Sequence, residues 1–229
     1  QGAIAWVVSL NTLPAVSVPL YWIFGSSDFD DYIEERRNQN DAVRPLAKQL
    51  IDKTTSSAIT SDHQSGLTRS LKSLSLLPLT RGNQVELLVD GKATYKSIFD
   101  SIKRAKKYVL VQFYIIRDDD SGGKLKDLLI QKAREGVSVY VLYDDYGCID
   151  LGEDYLSGLR DAGVHVSSFL QLVGRANGFQ LNFRNHRKIV VVDGIEGFVG
   201  GHNVGDEYLG LHPDLSPWRD SHIRLKGPV

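Results

Sequence analysis

The chain has 229 residues, enough for one substantial core, and its 27 Lys plus Arg against 28 Asp plus Glu leave a net charge of −1. That balance excludes the global basic footprint of a nucleic-acid-binding protein, and 42% apolar with 24% charged residues excludes a disordered chain. A single cysteine, Cys148, excludes an internal disulfide framework and fits a reducing compartment.

The chain starts at Gln1 and holds no methionine, so it is expected to be a fragment. Residues 1–27 contain no Asp, Glu, Lys, Arg or His. The 22 residues from Ala3 to Phe24 would make a helix of about 33 Å, close to the ~30 Å hydrocarbon core of a bilayer. Trp6 lies near one end and Tyr21, Trp22 and Phe24 near the other, where interfacial aromatics belong. Asn11, Thr12, Pro14 and Pro19 weaken such a span, and a buried core helix is the other reading. No basic n-region precedes the segment, so it does not read as a signal peptide.

Residues 28–80 read as a connector. Asp30–Asp52 is polar with short helical stretches, and Thr54–Ser65 is a Ser/Thr-rich loop. Leu67, Leu71 and Leu74 stand at i, i+4 and i+7, which predicts an amphipathic helix ending before Pro78.

From Arg81 onward, to residue 229, the pattern alternates. Strands are predicted at Val85–Val89, Tyr108–Ile116, Val137–Tyr143, Val164–Phe169, Lys188–Val192 and His222–Leu225. Helices are predicted at Tyr95–Lys107, Lys124–Glu135 and Tyr155–Ala162, with Gly136 at a C-terminal cap. Near-continuous apolar strands between helices predict an α/β sheet covered by helices on both faces.

The densest chemistry lies in Asn185–Asn203, NHRKIVVVDGIEGFVGGHN. His186 and Lys188 are two apart, so in an extended segment both side chains share a face. A lysine there neutralises phosphate oxygens, and a histidine attacks phosphorus or hands over a proton. Asp193 ends the apolar strand. Gly200 and Gly201 let backbone approach a ligand, and Asn203 can donate its amide hydrogens to a phosphoryl oxygen.

Three other features bear on chemistry. His202, His212 and His222 recur every ten residues without Cys or an HxH pair, so no metal site is expected. Lys103, Arg104, Lys106 and Lys107 form a basic cluster that reads either as a lipid-headgroup contact or as a solvated helix end. Asp118–Asp120 and Asp144-Asp145 follow strands, in loops that either border α/β sites or form exposed turns.

The spacing His-x-Lys-x4-Asp-x6-Gly-Gly-x-Asn resembles the HxKxxxxD signature and tail of the phospholipase D superfamily, most closely bacterial cardiolipin synthases. The stretches at 114–123 (YIIRDDDSGG), 200–210 (GGHNVGDEYLG) and 218–228 (WRDSHIRLKGP) are similar to that family too. Many superfamily members carry Ser where Gly201 stands. The resemblance implies a phospholipase D-like α/β fold behind an N-terminal membrane-associated helix, and metal-free ping-pong transfer through a phosphohistidine without cofactors. It implies cardiolipin made from two phosphatidylglycerol molecules, by an enzyme of the bacterial cell membrane with its catalytic domain in the cytoplasm.

In that resemblance His186 matches the nucleophile or the partnering acid/base, Lys188, Gly201 and Asn203 the phosphate-binding group, and Asp193 the aspartate of the signature, which is counted with the catalytic residues and usually holds the strand-to-turn geometry. Asp220, an acidic residue following the histidine at a distance, matches the group that orients it. Its other reading is a partner for Arg219 or a surface residue.

The family uses two copies of the motif. This chain has one, because His63, His165, His202, His212 and His222 are not followed two residues on by Lys. The second copy is expected from a missing C-terminal half or a second chain. Two other functions are expected alternatives: a homodimeric phosphodiesterase or nuclease, and a non-catalytic phosphate- or lipid-binding module. Near-neutral charge and the apolar N-terminus argue against the nuclease.

Overall fold

The computed structural model describes residues 2–24, 58, 66–74, 79–169, 184–216 and 218–227. They fall into two compact units, one holding 2–24 and the other holding the rest. The expected polar connector Asp30–Asp52 lies outside the described residues, and so does Thr54–Ser65 apart from Ala58, which forms an isolated bridge with Thr80.

In the first unit the uncharged segment makes two helices, α1 (Gly2–Thr12) and α2 (Pro14–Phe24). The break falls at Leu13, because a residue before proline avoids helical conformation. Asn11 and Thr12 turn their side chains back onto the carbonyls of Val7 and Val8, at 2.6 and 2.9 Å. The two helices fold against each other. Trp6 meets Tyr21 edge-on at 5.3 Å, and the Ser17 hydroxyl donates to Ser9 O at 2.9 Å. Each helix is about 16 Å long, and among the described residues no helix is long and apolar enough to cross a membrane. The expected single helix is thus corrected to a hairpin of two short ones, with Pro14 as the cause.

The second unit begins with α3 (Gly66–Leu74), the amphipathic helix that the leucine spacing predicts. The elements that follow are β1 (Gln84–Val89), α4 (Asp90–Arg104), β2 (Tyr108–Phe113), α5 (Asp120–Arg134), β3 (Ser138–Tyr143), α6 (Glu153–Asp161) and β4 (His165–Ser168). Then come β5 (Ile189–Val192), β6 (Glu196–Gly200), a 3-10 turn at Asp206–Leu209 and β7 (Ser221–Lys226). Seven strands form one sheet in the order β1-β7-β6-β5-β2-β3-β4. β2, β3 and β4 run parallel, and every other neighbouring pair is antiparallel.

Val109, Val111, Val139, Val141, Val190, Val192 and Phe198 point to one face, where they meet Ile98 and Ile102 of α4, Leu125 and Leu129 of α5 and Leu159 of α6 in the core. All three helices lie on this face. The opposite face carries Val85, Leu87, Val89, Leu110, Tyr140 and Val199, between 39% and 65% exposed. Among the described residues the sheet is therefore flanked by helices on one face, not on both as the apolar strands suggested. Both strand faces are apolar, so sequence pattern alone does not show which is covered.

Two helices start earlier than their apolar periodicity. Asp90 takes a left-handed conformation, φ 63°, and turns β1 directly into α4. Asp119 caps α5 by accepting the N–H of Gly122 at 2.9 Å. Gly122 sits in that first helical turn, where a Cβ would lie 1.7 Å from Arg117 O. Strand β6 was not expected, because Glu-Gly-Phe-Val-Gly is short and glycine-rich. In the basic cluster, Arg104 pairs with Glu196 at 3.3 Å, and Lys106 and Lys107 give their backbone N–H groups to Asp193.

Candidate active site

His186 and Lys188 precede β5 in an extended segment. The segment is held by Asp144, at the end of β3, which is 2% exposed. One of its carboxylate oxygens accepts the Asn185 N–H at 2.6 Å, and the other accepts those of Tyr146 and Gly147 at 3.0 and 3.1 Å. The imidazole of His186 stacks on Tyr114, with ring centroids 3.8 Å apart and planes 18° off parallel. The Lys188 ammonium stands 5.2 Å over the same ring and donates to His186 O at 2.7 Å. Tyr114 thus carries both side chains, and cation–π attraction steadies the lysine. Lys188 is buried, which lowers its proton affinity, and the charge of Asp220 opposes that shift.

Gly200 and Gly201 serve packing. A Cβ on Gly200 would lie 2.5 Å from the His222 ring, and one on Gly201 would lie 2.1 Å from an Asp220 carboxylate oxygen. The glycines seat those two side chains. Asp220 accepts the Ser221 N–H at 2.7 Å, and its carbonyl accepts the Asp90 N–H at 3.0 Å. Arg219 pairs with Asp90 at 3.7 Å, not with Asp220. Among the described residues no hydrogen bond joins Asp220 to His186. The Asp220 charge acts on Lys188, His202 and His222.

Those two histidines are fully buried, with ring centroids 5.7 Å apart. Thr94 donates its hydroxyl proton to Asp90 O at 3.0 Å and touches His202 Nδ1 at 3.5 Å. Neither ring nitrogen of His222 has a hydrogen-bond partner among the described residues. Burial and the neighbouring His202 push its proton affinity down to about 4, against the pull of Asp220.

Asn203 is tied on both sides of its amide. Its oxygen accepts the Ile115 N–H at 3.0 Å, and its nitrogen donates to Tyr208 Oη at 2.9 Å. Its carbonyl accepts the Tyr95 hydroxyl. The same join continues in Asp206 N–H to Asp119, 2.7 Å, and Arg117 Nε to Glu207, 2.7 Å. The two stretches at 114–123 and 200–210 are therefore one packed unit.

Asp193 does not join this group. It lies at the far end of β5, five residues beyond Lys188 or roughly 16 Å along an extended chain. Its carboxylate accepts three backbone N–H groups, from Lys106, Lys107 and Tyr108, at 2.8–2.9 Å. Burial raises its proton affinity, the three donors outweigh that, and the net shift is downward. It pins the α4–β2 turn to the β5–β6 turn.

The family model described as "Cardiolipin synthase, PLD-like domain" matches residues 98–215. The chain belongs to this cardiolipin synthase, PLD-like family. Cardiolipin synthase A of Pseudomonas fluorescens is 49% identical over all of this chain and 48% of its own length, and that of Pseudomonas putida is 48% identical over the same shares. The chain thus spans about half the length of the curated relatives it matches. Among solved structures, phosphatidylserine synthase of Haemophilus influenzae covers 63% of this chain and 33% of its own at 19% identity and TM-score 0.49. NucT of Helicobacter pylori covers 63% and 86% at 14% identity and TM-score 0.47.

In this cardiolipin synthase-like unit, His186, Lys188, Gly201 and Asp220 fall around one end of the sheet, whereas Asp193 falls at the other. Sequence reasoning left Asp144 between a site-bordering loop and an exposed turn, and did not single out Tyr114 or Asp90. Tyr114 had a signal, since it opens a family-like stretch, and Asp144 had one as an aspartate after a strand. Asp90 had none, because a left-handed aspartate leaves no mark on the residue pattern.

Proposed function

We propose that the chain supplies one of the two histidines of a phosphatidyltransferase that makes cardiolipin from two phosphatidylglycerol molecules. The observation that carries this reading is the pairing of His186 and the buried Lys188 on the Tyr114 ring, in a chain of the cardiolipin synthase family. A second motif copy, from a further segment or a second chain, completes the site.

One histidine attacks phosphorus of the first phosphatidylglycerol, and the bond from phosphorus to the glycerol oxygen breaks. The other histidine protonates the departing glycerol. A headgroup hydroxyl of the second phosphatidylglycerol then loses its proton to that same histidine and attacks the phosphohistidine. The phosphorus–nitrogen bond breaks, cardiolipin leaves and both imidazoles are restored. Lys188 offsets the charge on the phosphoryl oxygens, the Asn203 amide keeps one hydrogen to give beyond its bond to Tyr208, and Gly201 shapes the loop. Asp220 acts as a positioning carboxylate. The setting is the bacterial cell membrane, with the catalytic unit on its cytoplasmic side.

The test gives phosphatidylglycerol in EDTA to the full-length parent protein and to its His186→Ala variant. Cardiolipin and glycerol are expected from the parent, and a loss of about 10⁴-fold or more from the variant. Near-normal cardiolipin from His186→Ala would remove the histidine from the chemistry. Hydrolysis products alone would favour a phosphodiesterase, and no product at all would favour a binding module.

A further inference from the structure

We propose that α3 lays its leucine face into an anionic phospholipid surface, a contact separate from the candidate active site. Leu67, Leu71 and Leu74 form one stripe on this helix and are 70%, 47% and 83% exposed. A lone exposed leucine is ordinary, but three in one helical stripe form a face that water disfavours. Ser70 and Ser73 turn their hydroxyls onto the carbonyls of Gly66 and Ser70, at 3.0 and 2.8 Å. Neither hydroxyl needs a partner outside the helix, which leaves the leucines as its interactive side.

Charge selects the occupant. Residues 63–85 hold no Asp or Glu, and their charged groups are Arg69, Lys72 and Arg81. A local excess of three positive charges in a chain of net charge −1 is a strong local bias. A short helix with leucines on one face and only cations among its charges fits the interface of an anionic bilayer. A second copy of the chain is the poorer occupant, because a two-fold contact through this face would bring like charges together. The binding needs no turnover, so its test stands whether or not the proposed transfer chemistry holds.

The experiment uses the 229-residue chain with one added cysteine, Leu74→Cys on the stripe or Ser73→Cys away from it, coupled to an environment-sensitive fluorophore. The native Cys148 is buried and its thiol is pushed up to about 12, so it does not compete for the label. Vesicles of phosphatidylglycerol with phosphatidylcholine are compared with phosphatidylcholine alone. The Leu74 probe is expected to blue-shift on the anionic vesicles, with the Ser73 probe staying in water. Changing both Arg69→Gln and Lys72→Gln is expected to weaken the half-maximal lipid concentration about thirtyfold. Four outcomes overturn the proposal: a Leu74 probe that stays in water while the chain floats with vesicles, an equal shift at Ser73, an equal shift on phosphatidylcholine, or a vesicle-free shift that grows with protein concentration. The first would assign vesicle binding to the α1–α2 hairpin, and the last would assign the face to a second copy.

Discussion

The buried imidazole of His222 stores a pH dependence. Its folded value, about 4, lies below the ~6.5 of free histidine. As pH falls, the unfolded chain takes up a proton first, so stability is complete above ~6.5 and is lost as pH falls from there toward 4. His202, also lowered by burial, adds to the same trend, and Asp220 opposes it at both rings. Melting temperature is expected to fall between pH 7 and 5, and to fall less steeply in His222→Gln; parallel slopes would exclude His222 as the source. A second prediction concerns Gly201, whose Cβ position is filled by the Asp220 carboxylate at 2.1 Å. Gly201→Ala is expected to cost about 1–3 kcal/mol in urea unfolding. Gly123→Ala, in open space within α5, is expected to be neutral or stabilising. Equal stability of the two variants would mean that the loop yields without cost.

Between elements, Asp193 ties two turns together. One carboxylate gathers three backbone N–H groups and so fixes how β5 leaves and β2 enters the sheet. Its left-handed φ of 55° suits Asn equally well, so Asp193→Asn isolates the hydrogen bonds from the backbone geometry. An amide has one acceptor where the carboxylate has two, and the variant is expected to lose about 2 kcal/mol in chemical denaturation. Inorganic phosphate is expected to bind it as it binds the parent chain, since His186 and Lys188 lie at the other end of β5. A loss of phosphate binding with stability intact would place Asp193 in the site after all.

Across the second unit, the sheet turns one apolar face to three helices and leaves the other partly exposed. His186, Lys188, Gly201 and Asp220 gather at one end of β5, where the join between 114–123 and 200–210 meets the Asp144 anchor. That arrangement supports one histidine and one lysine. In the proposed reaction the second motif copy comes from a further segment or a second chain, so the turnover test starts from the parent protein. The first unit is a hairpin whose uncharged helices are each about half the length that a bilayer core requires.

The residue pattern alone determined the alternation of strands and helices after Arg81, the α3 stripe, and the shared face of His186 and Lys188. Each depends on geometry repeated within a few residues, and period 2 or 3.6 is written directly in the order of side chains. The family signature was legible for the same reason, since its spacing is local. Tertiary structure decided the rest. Asp144 reaches Asn185 across 41 residues and Asn203 reaches Ile115 across 88. Such pairs follow from strand order, which no local period encodes. The same reason sends Asp193 away from the histidine it accompanies in sequence and gives Gly200 and Gly201 to His222 and Asp220. Where the uncharged segment bends was open to either reading until the chain was seen to break at Leu13, where the backbone restriction before Pro14 outweighs the apolar continuity on both sides.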